Sequence, residues 1–173
     1  MYITADNDVH LAPLQAGDSL FMYHLLTSRE WIENIGDRNI REVGDAENYI
    51  ATLSSMAGSK MWCIRYKNIS VGVISILQKD YLPYPDLGFA ILKDFQRLGI
   101  AYSAASTLIE QYLATSGHAT ICAVTLLHNL PSRQLCGKLG FAFSGIIEGA
   151  GQELAFYVLH LDQKKELQWL PPQ

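Results

Sequence analysis

Residues 119–127 read ATICAVTLL, nine residues without a charge, a glycine or a proline. A strand with one wet face alternates apolar and polar residues. A continuous apolar run of this length reads as a central strand covered on both faces. Such a strand needs helices above and below its sheet, so the rest of the chain has to supply them. Just upstream, Ala101, Ala104, Ala105, Leu108, Ile109, Tyr112 and Leu113 recur at three- and four-residue spacing and give one helix a buried stripe, with Gly117 as its stop. Just downstream, Asn129 and Pro131 open a short helix that Gly140 closes, with Pro131 near the first helical position, where its missing N–H costs little.

The flanks complete a mixed sheet. Val9–Leu14 reads as a short strand. Gly17-Asp18-Ser19 offers capping chemistry for a helix through Leu25-Leu26, WIENIGD breaks or redirects it, and Asp45 is expected to cap a helix over AENYIATLSSM that stops at Gly58. In MWCIRYKNISVGVISIL two β-rich runs flank Lys67-Asn68 as in an antiparallel hairpin. DYLPYP is a loop, DLGFAIL a further strand, and FAFSGII with ELAFYVLHL a closing hairpin. The expected order is β, α, α, a run of strands, then α, β, α, β, β. The fold class expected is α/β in the mixed sense, one domain over 1–173 with helices on both faces of the sheet.

Hydrophobic residues make up 49% of the chain and charged residues only 17%, against a usual charged share of roughly 25%. The deficit fits a well-buried core and leaves room for a monomer or a homodimer. A net charge of −4 argues against nucleic acid or an anionic membrane as main partner. Cys63, Cys122 and Cys136 are odd in number and lack metal-ligand spacing, so neither a disulfide framework nor a metal site is expected. The start MYITADNDVH lacks the basic and apolar regions of an export signal, and no apolar run nears the roughly 18 residues of a membrane span. A cytoplasmic setting is the default expectation.

The stretch FQRLGIA, between DLGFAIL and the first of these two helices, is where chemistry enters. The first N–H groups of a helix lack intrahelical partners, and the helix dipole favours an anion there. Gly99 and Ala101 keep side chains out of the way and Arg97 adds a charge. A plain tight turn would look similar. It is not a phosphate loop of the GK[ST] type, nor a dinucleotide fingerprint, because the glycine spacing is wrong.

Two linked segments resemble the GNAT superfamily of N-acyltransferases. Gln96, Gly99 and Ala101 fill its cofactor signature Q/R-x-x-G-x-G/A. NLPSRQLCGKLGF is similar to its later segment, with Asn129, Ser132, Leu135, Lys138, Gly140 and Phe141 in order. The strand, helices and hairpin of the N-terminal part agree, so the resemblance covers nearly the whole chain. Within the superfamily it looks most like the ribosomal-protein N-terminal acetyltransferases and their small-molecule-acetylating relatives.

This resemblance implies acetyl-CoA as co-substrate, no metal, and direct transfer to a primary amine, either a protein N-terminus or a small molecule. It implies fourth and fifth strands that splay, with pantetheine pairing near Ala90, Ile91 and Leu92. Pyrophosphate would lie on the N–H groups of Arg97, Leu98, Gly99, Ile100, Ala101 and Tyr102, and Gln96 of the signature belongs to the same cofactor site. Asn129 would bond the pantetheine arm, a role compatible with capping its helix. Asp86 stands where several members carry a base, and it also reads as a strand-edge polar residue. Many members place a Tyr acid where this chain has Cys136, which also reads as helix packing. Ser132 would hydrogen-bond the thioester sulfur or its water. His128 lies near the implied cleft, and Trp31, Tyr81 and Tyr84 lie in loops that would border the acceptor. The competing class is a non-catalytic acyl-CoA-binding sensor or interaction domain.

Overall fold

A computed structural model describes residues 3–6 and 8–160, with only the backbone described at 3–6 and 112–114. The strands are β1 (Ile3–Asp6), β2 (Val9–Pro13), β3 (Lys60–Tyr66), β4 (Ile69–Leu77), β5 (Asp86–Ile91), β6 (Thr120–Leu126), β7 (Ala142–Gly149) and β8 (Gln152–His160). The α-helices are α1 (Ser19–Leu26), α2 (Arg29–Asn34), α3 (Val43–Ser55), α4 (Ile100–Thr115) and α5 (Leu130–Lys138). The strands form one eight-stranded sheet in the order β1-β2-β3-β4-β5-β6-β8-β7. Every neighbouring pair is antiparallel except β5 with β6.

Side-chain parity explains why helices must cover both faces. From β3, β4 and β5, Ile64, Ile74, Ile76 and Leu87 face one core, together with Ile121 and Ala123 of β6, the stripe Ala104, Ala105, Leu108 and Ile109 of α4, and Cys136 and Leu139 near α5. The alternate residues Met61, Val73, Ala90 and Leu92 face a second core with Met22, Leu25 and Leu26 of α1, Trp31 of α2, and Ala46 and Ile50 of α3. Helices α4 and α5 thus cover one face and α1 to α3 the other, the mixed architecture expected. The proposed stripe positions Tyr112 and Leu113 have side chains outside the described residues, as are the first two residues of the start that was read for an export signal.

Several local expectations hold. Lys67 and Asn68 both take positive φ, 50° and 65°, as a two-residue hairpin turn of the primed kind requires. Asn129 caps α5, its Oδ1 accepting the Ser132 N–H at 3.2 Å. Others are corrected. The WIENIGD stretch does not only redirect the chain, because REWIEN is itself helical (α2). Ser28 Oγ accepts the Trp31 N–H at 3.3 Å and starts the helix, and Trp31 is buried. Helix α3 begins at Val43, not after Asp45. Asp45 instead sits at the third helical position and its carboxylate accepts from Glu42 N–H at 3.1 Å, one half of a capping box. Asp18 holds the N-cap position of α1 without capping it through its side chain, and its Oδ2 accepts from Gln15 N–H at 3.0 Å. Strand β1, set in the polar context of ITAD, is an addition at the sheet edge.

Candidate active site

The ladder between β5 and β6 is one residue pair long, Asp86 opposite Cys122, with the Cys122 N–H donated to the Pro85 carbonyl at 2.9 Å. Beyond it the strands part. The cause is visible at the fork. Val124, two residues further along β6, gives its N–H to the Asp86 carboxylate at 3.2 Å, so a side chain has replaced a backbone partner. On its other edge β5 stays paired, and Leu92 donates to the Val71 carbonyl at 2.9 Å. Strand alternation then turns the N–H and C=O groups of Phe89 and Ile91 towards the gap. The Ile91 carbonyl accepts from the Gln96 side-chain amide at 3.0 Å. Gln96 therefore ties the end of β5 to the following turn.

That turn delivers the cradle. Arg97 and Gly99 both have positive φ, 62° and 79°, an arrangement that lets successive N–H groups converge. The first helical bond is donated by Ser103 N–H to the Gly99 carbonyl at 3.0 Å, which leaves the N–H groups of Ile100, Ala101 and Tyr102 without intrahelical acceptors. A Cβ built on Gly99 meets nothing within 4 Å, so this spot is open. Arg97, Leu98 and Tyr102 are exposed around it.

A cleft of about 1470 Å³ runs from this cradle through the fork. One half is lined by Gln96, Arg97, Gly99, Ile100, Ala101 and Tyr102, with Asn129, Ser132 and Cys136 of the α5 region opposite. His128, exposed, also lines it. The other half opens on the face covered by α1 to α3. Trp31, Arg38, Tyr49, Ser75, Lys79 and Tyr81 line it, and Asp86 and Gly88 stand at the junction of the halves. The structure thus brings Ala90, Ile91, Gln96, Arg97, Gly99 to Tyr102, Asn129, Ser132, Cys136 and Asp86 to one cleft. Leu92 and Leu98, the other positions singled out for the cofactor, do not line it, nor does Tyr84 on the acceptor side; Trp31 and Tyr81 do.

Asp86 is not a free strand-edge carboxylate. It is 2% exposed, and its Oδ2 lies 2.6 Å from Lys79 Nζ. Burial pushes its pKa up, against the opposing pull of the Lys79 ammonium and the Val124 N–H. Burial is the largest influence on Lys79 and pulls its pKa down, but the Asp86 carboxylate and the Tyr81 phenol together outweigh it and keep the ammonium above its ordinary value. Cys136 is 1% exposed. Burial first, and the Asp86 charge second, push its thiol up to about 12. Burial likewise pushes Cys122 up to about 12. Tyr49 is raised by burial, opposed by the positive charges of Arg38 and Lys79.

Sequence reasoning passed over Lys79, Arg38, Tyr49 and Ser75. Lys79 stands seven residues before its partner in a loop without periodicity, and Arg38 reaches the cleft from a loop after α2. The parity of Val73, already legible as β-strand, is the one signal that places Ser75 on the acceptor face. No group of three or more potential metal ligands exists among the described residues. No helix among them is long and apolar enough to cross a membrane.

The fork suits an extended amide-bearing ligand with an anionic end. Unpaired groups of β5 would meet the amides, and the cradle at Gly99 has the room and the donors for phosphate. No curated protein sequence matches the chain. In fold it is similar to a ribosomal L7/L12 alpha-N-protein acetyltransferase solved with coenzyme A, at 15% identity and a TM-score of 0.84, covering 94% of this chain and 99% of that one. It is also similar to a microcin C7 self-immunity acetyltransferase solved with acetyl-CoA and AMP, at 16% identity and a TM-score of 0.79, covering 90% and 94%. A GNAT-family acetyltransferase from Bacillus anthracis gives 17% identity and a TM-score of 0.78, covering 94% and 99%. The model of the acetyltransferase (GNAT) domain matches residues 8–142. With this match over most of its length and the forked sheet that it presents, the chain belongs to the GNAT family of acetyltransferases.

Proposed function

We propose that the protein transfers an acetyl group from acetyl-CoA directly to a primary amine, either a protein N-terminus or a small molecule. The observation that carries this reading is the single-pair β5–β6 ladder, which leaves unpaired backbone groups of β5 beside a helix N-terminus. Gln96 and the N–H groups of Arg97 to Tyr102 would hold the pyrophosphate end. Phe89, Ala90 and Ile91 would run beside the pantetheine arm, with Asn129 and Ser132 opposite. Acetyl-CoA, when bound, supplies an activated acyl carbon and a thiolate leaving group.

The residues of this chain then have three tasks. An N–H of the free β5 edge, from Phe89 or Ile91, stabilises negative charge on the carbonyl oxygen. Asp86 accepts the proton that the attacking amine loses, directly or through a water. Its raised pKa brings it nearer the working range of a general base, and Lys79 fixes its orientation. Ser132 donates a hydrogen bond to the departing sulfur. Cys136, with a thiol near 12, is a poor proton source for a thiolate whose reference pKa is about 8.5, so the reading gives it packing rather than acid duty. Direct transfer needs no covalent enzyme intermediate. Three buried free thiols suit a reducing, cytoplasmic setting.

The test is a panel of amines and peptides incubated with acetyl-CoA and the protein, read by mass spectrometry. A gain of one acetyl group on at least one primary amine, dependent on the protein, is the expected result. Acetyl-CoA binding without transfer to any amine would make the chain a sensor instead.

A further inference from the structure

The acceptor half of the cleft contains two carboxylates, and each already faces a cation. Asp86 is paired with Lys79 at 2.6 Å, and Glu30 faces Lys93 at 3.7 Å. Arg38, which lines the same half, has no carboxylate partner among the described residues. It shares that lining with the half-buried Tyr49. A second donor stands nearby. Trp31 lines this half and is 5% exposed, and its indole Nε1–H is buried with no acceptor among the described residues. An orphaned buried donor is costly unless something arrives to accept from it. The planar guanidinium of exposed Arg38 and the phenol of half-buried Tyr49 thus line the cleft as donors, with no unpaired carboxylate beside them. Such a set selects an oxyanion, because Arg matches carboxylate and phosphate bidentately.

From this we infer that the acetyl acceptor carries an anionic group, a carboxylate or a phosphate, near its amine, and that Arg38 and Tyr49 hold it. The inference rests on the acetyltransferase reading and deepens it. A polyamine or aminoglycoside would meet an uncompensated guanidinium and no free carboxylate, so polycations are selected against.

The experiment uses the full chain and paired amines. Leucine is set against leucinamide and 3-methylbutylamine, and aminoethyl phosphate against propylamine; spermidine is included. A peptide beginning Ser-Glu is set against one beginning Ser-Gln. Rates of acetyl-CoA consumption should favour the anionic member by tenfold or more, and the member that prevails tells carboxylate from phosphate. Arg38→Met should collapse that ratio towards one by raising KM, Arg38→Lys should keep part of it, and acetyl-CoA affinity should stay unchanged. Turnover of neutral or polycationic amines at equal or better rates, or a ratio untouched in Arg38→Met, overturns the inference while leaving acetyl transfer intact. If no amine reacts, the acetyltransferase reading itself fails. Calorimetric titration with N-acetyl-leucine and its amide in the presence of CoA still decides the anion question. Tighter binding of the acid by wild type, lost in Arg38→Met, supports it, and equal or absent binding overturns it.

Discussion

The Lys79–Asp86 pair neutralises a carboxylate buried at the point where the sheet forks. On the proposed reading it also orients that carboxylate towards an incoming amine, and mutation can separate the two tasks. Asp86→Asn leaves a half-buried ammonium without its partner and should cost roughly 2–4 kcal/mol of stability, somewhat less than for a fully buried pair. Adding Lys79→Met should recover much of that loss, and denaturant unfolding of the single and double variants measures the coupling. The catalytic part shows in pH. Asp86 accepts a proton only when ionised, and its pKa is raised, so wild-type activity should fall as pH drops through that raised value. At high pH the amine is already free and no base is needed. The Asp86→Asn deficit should therefore be largest at moderately acidic pH and shrink upward. A profile of unchanged shape and height would leave Asp86 with structure alone. Ser132→Ala should weaken transfer by about 1 kcal/mol, as for one lost hydrogen bond, with Cys136→Ala nearly silent. With thiols near 12, Cys122 and Cys136 are thiolate at pH 8 to about one part in ten thousand. Iodoacetamide should spare both in the native protein and label them in denaturant. At this scale the sequence was legible where local chemistry suffices, as at Asn129 capping α5. It was silent where the partner is distant in sequence, as with Asp86 and Val124, or where a loop folds back, as with Arg38.

The elements that build the cleft are a strand that keeps one edge bare and a turn with two left-handed residues. Gly72 protects the first. A Cβ there would come within 2.4 Å of the Ala90 carbonyl oxygen and 2.6 Å of Ile91 Cδ1, so Gly72→Ala must push β4 and β5 apart. A loss of about 1–3 kcal/mol, with weaker acetyl-CoA binding because β5 moves, is expected from thermal unfolding and titration. Gly99 behaves in the opposite way. A side chain has room there, and only its φ of 79° resists substitution. Gly99→Asn, which tolerates that conformation, should keep most affinity for acetyl-CoA. Gly99→Glu should lose tenfold or more by placing an anion in an anion cradle. Equal affinity for wild type and Gly99→Glu in a folded protein would remove the cradle from its assigned role. The strand, turn and helix of this region were readable because apolar run, glycine and helical stripe follow in unbroken order. Helix α2 was not, since its six residues turn on a Ser28 cap and one buried Trp31 rather than on a periodic stripe.

For the whole molecule, the continuous run of β6 already demanded helices on both faces, and the two cores on either side of β3 to β5 meet that demand. What the run could not convey is that β6 meets β5 at a single residue pair, because a ladder's length depends on side chains such as Asp86 that replace it. The central claim is that this fork, with acetyl-CoA entering from the α4–α5 side and the amine from the α1–α3 side, is the catalytic site. Backbone amide NMR during titration with acetyl-CoA tests it most directly. The account predicts that the largest shifts fall on Phe89 to Ile91, Arg97 to Tyr102, Asn129, Leu130 and Ser132, with the outer strands β2 and β3 quiet. Saturable binding with shifts centred elsewhere, or no binding at all, would contradict it.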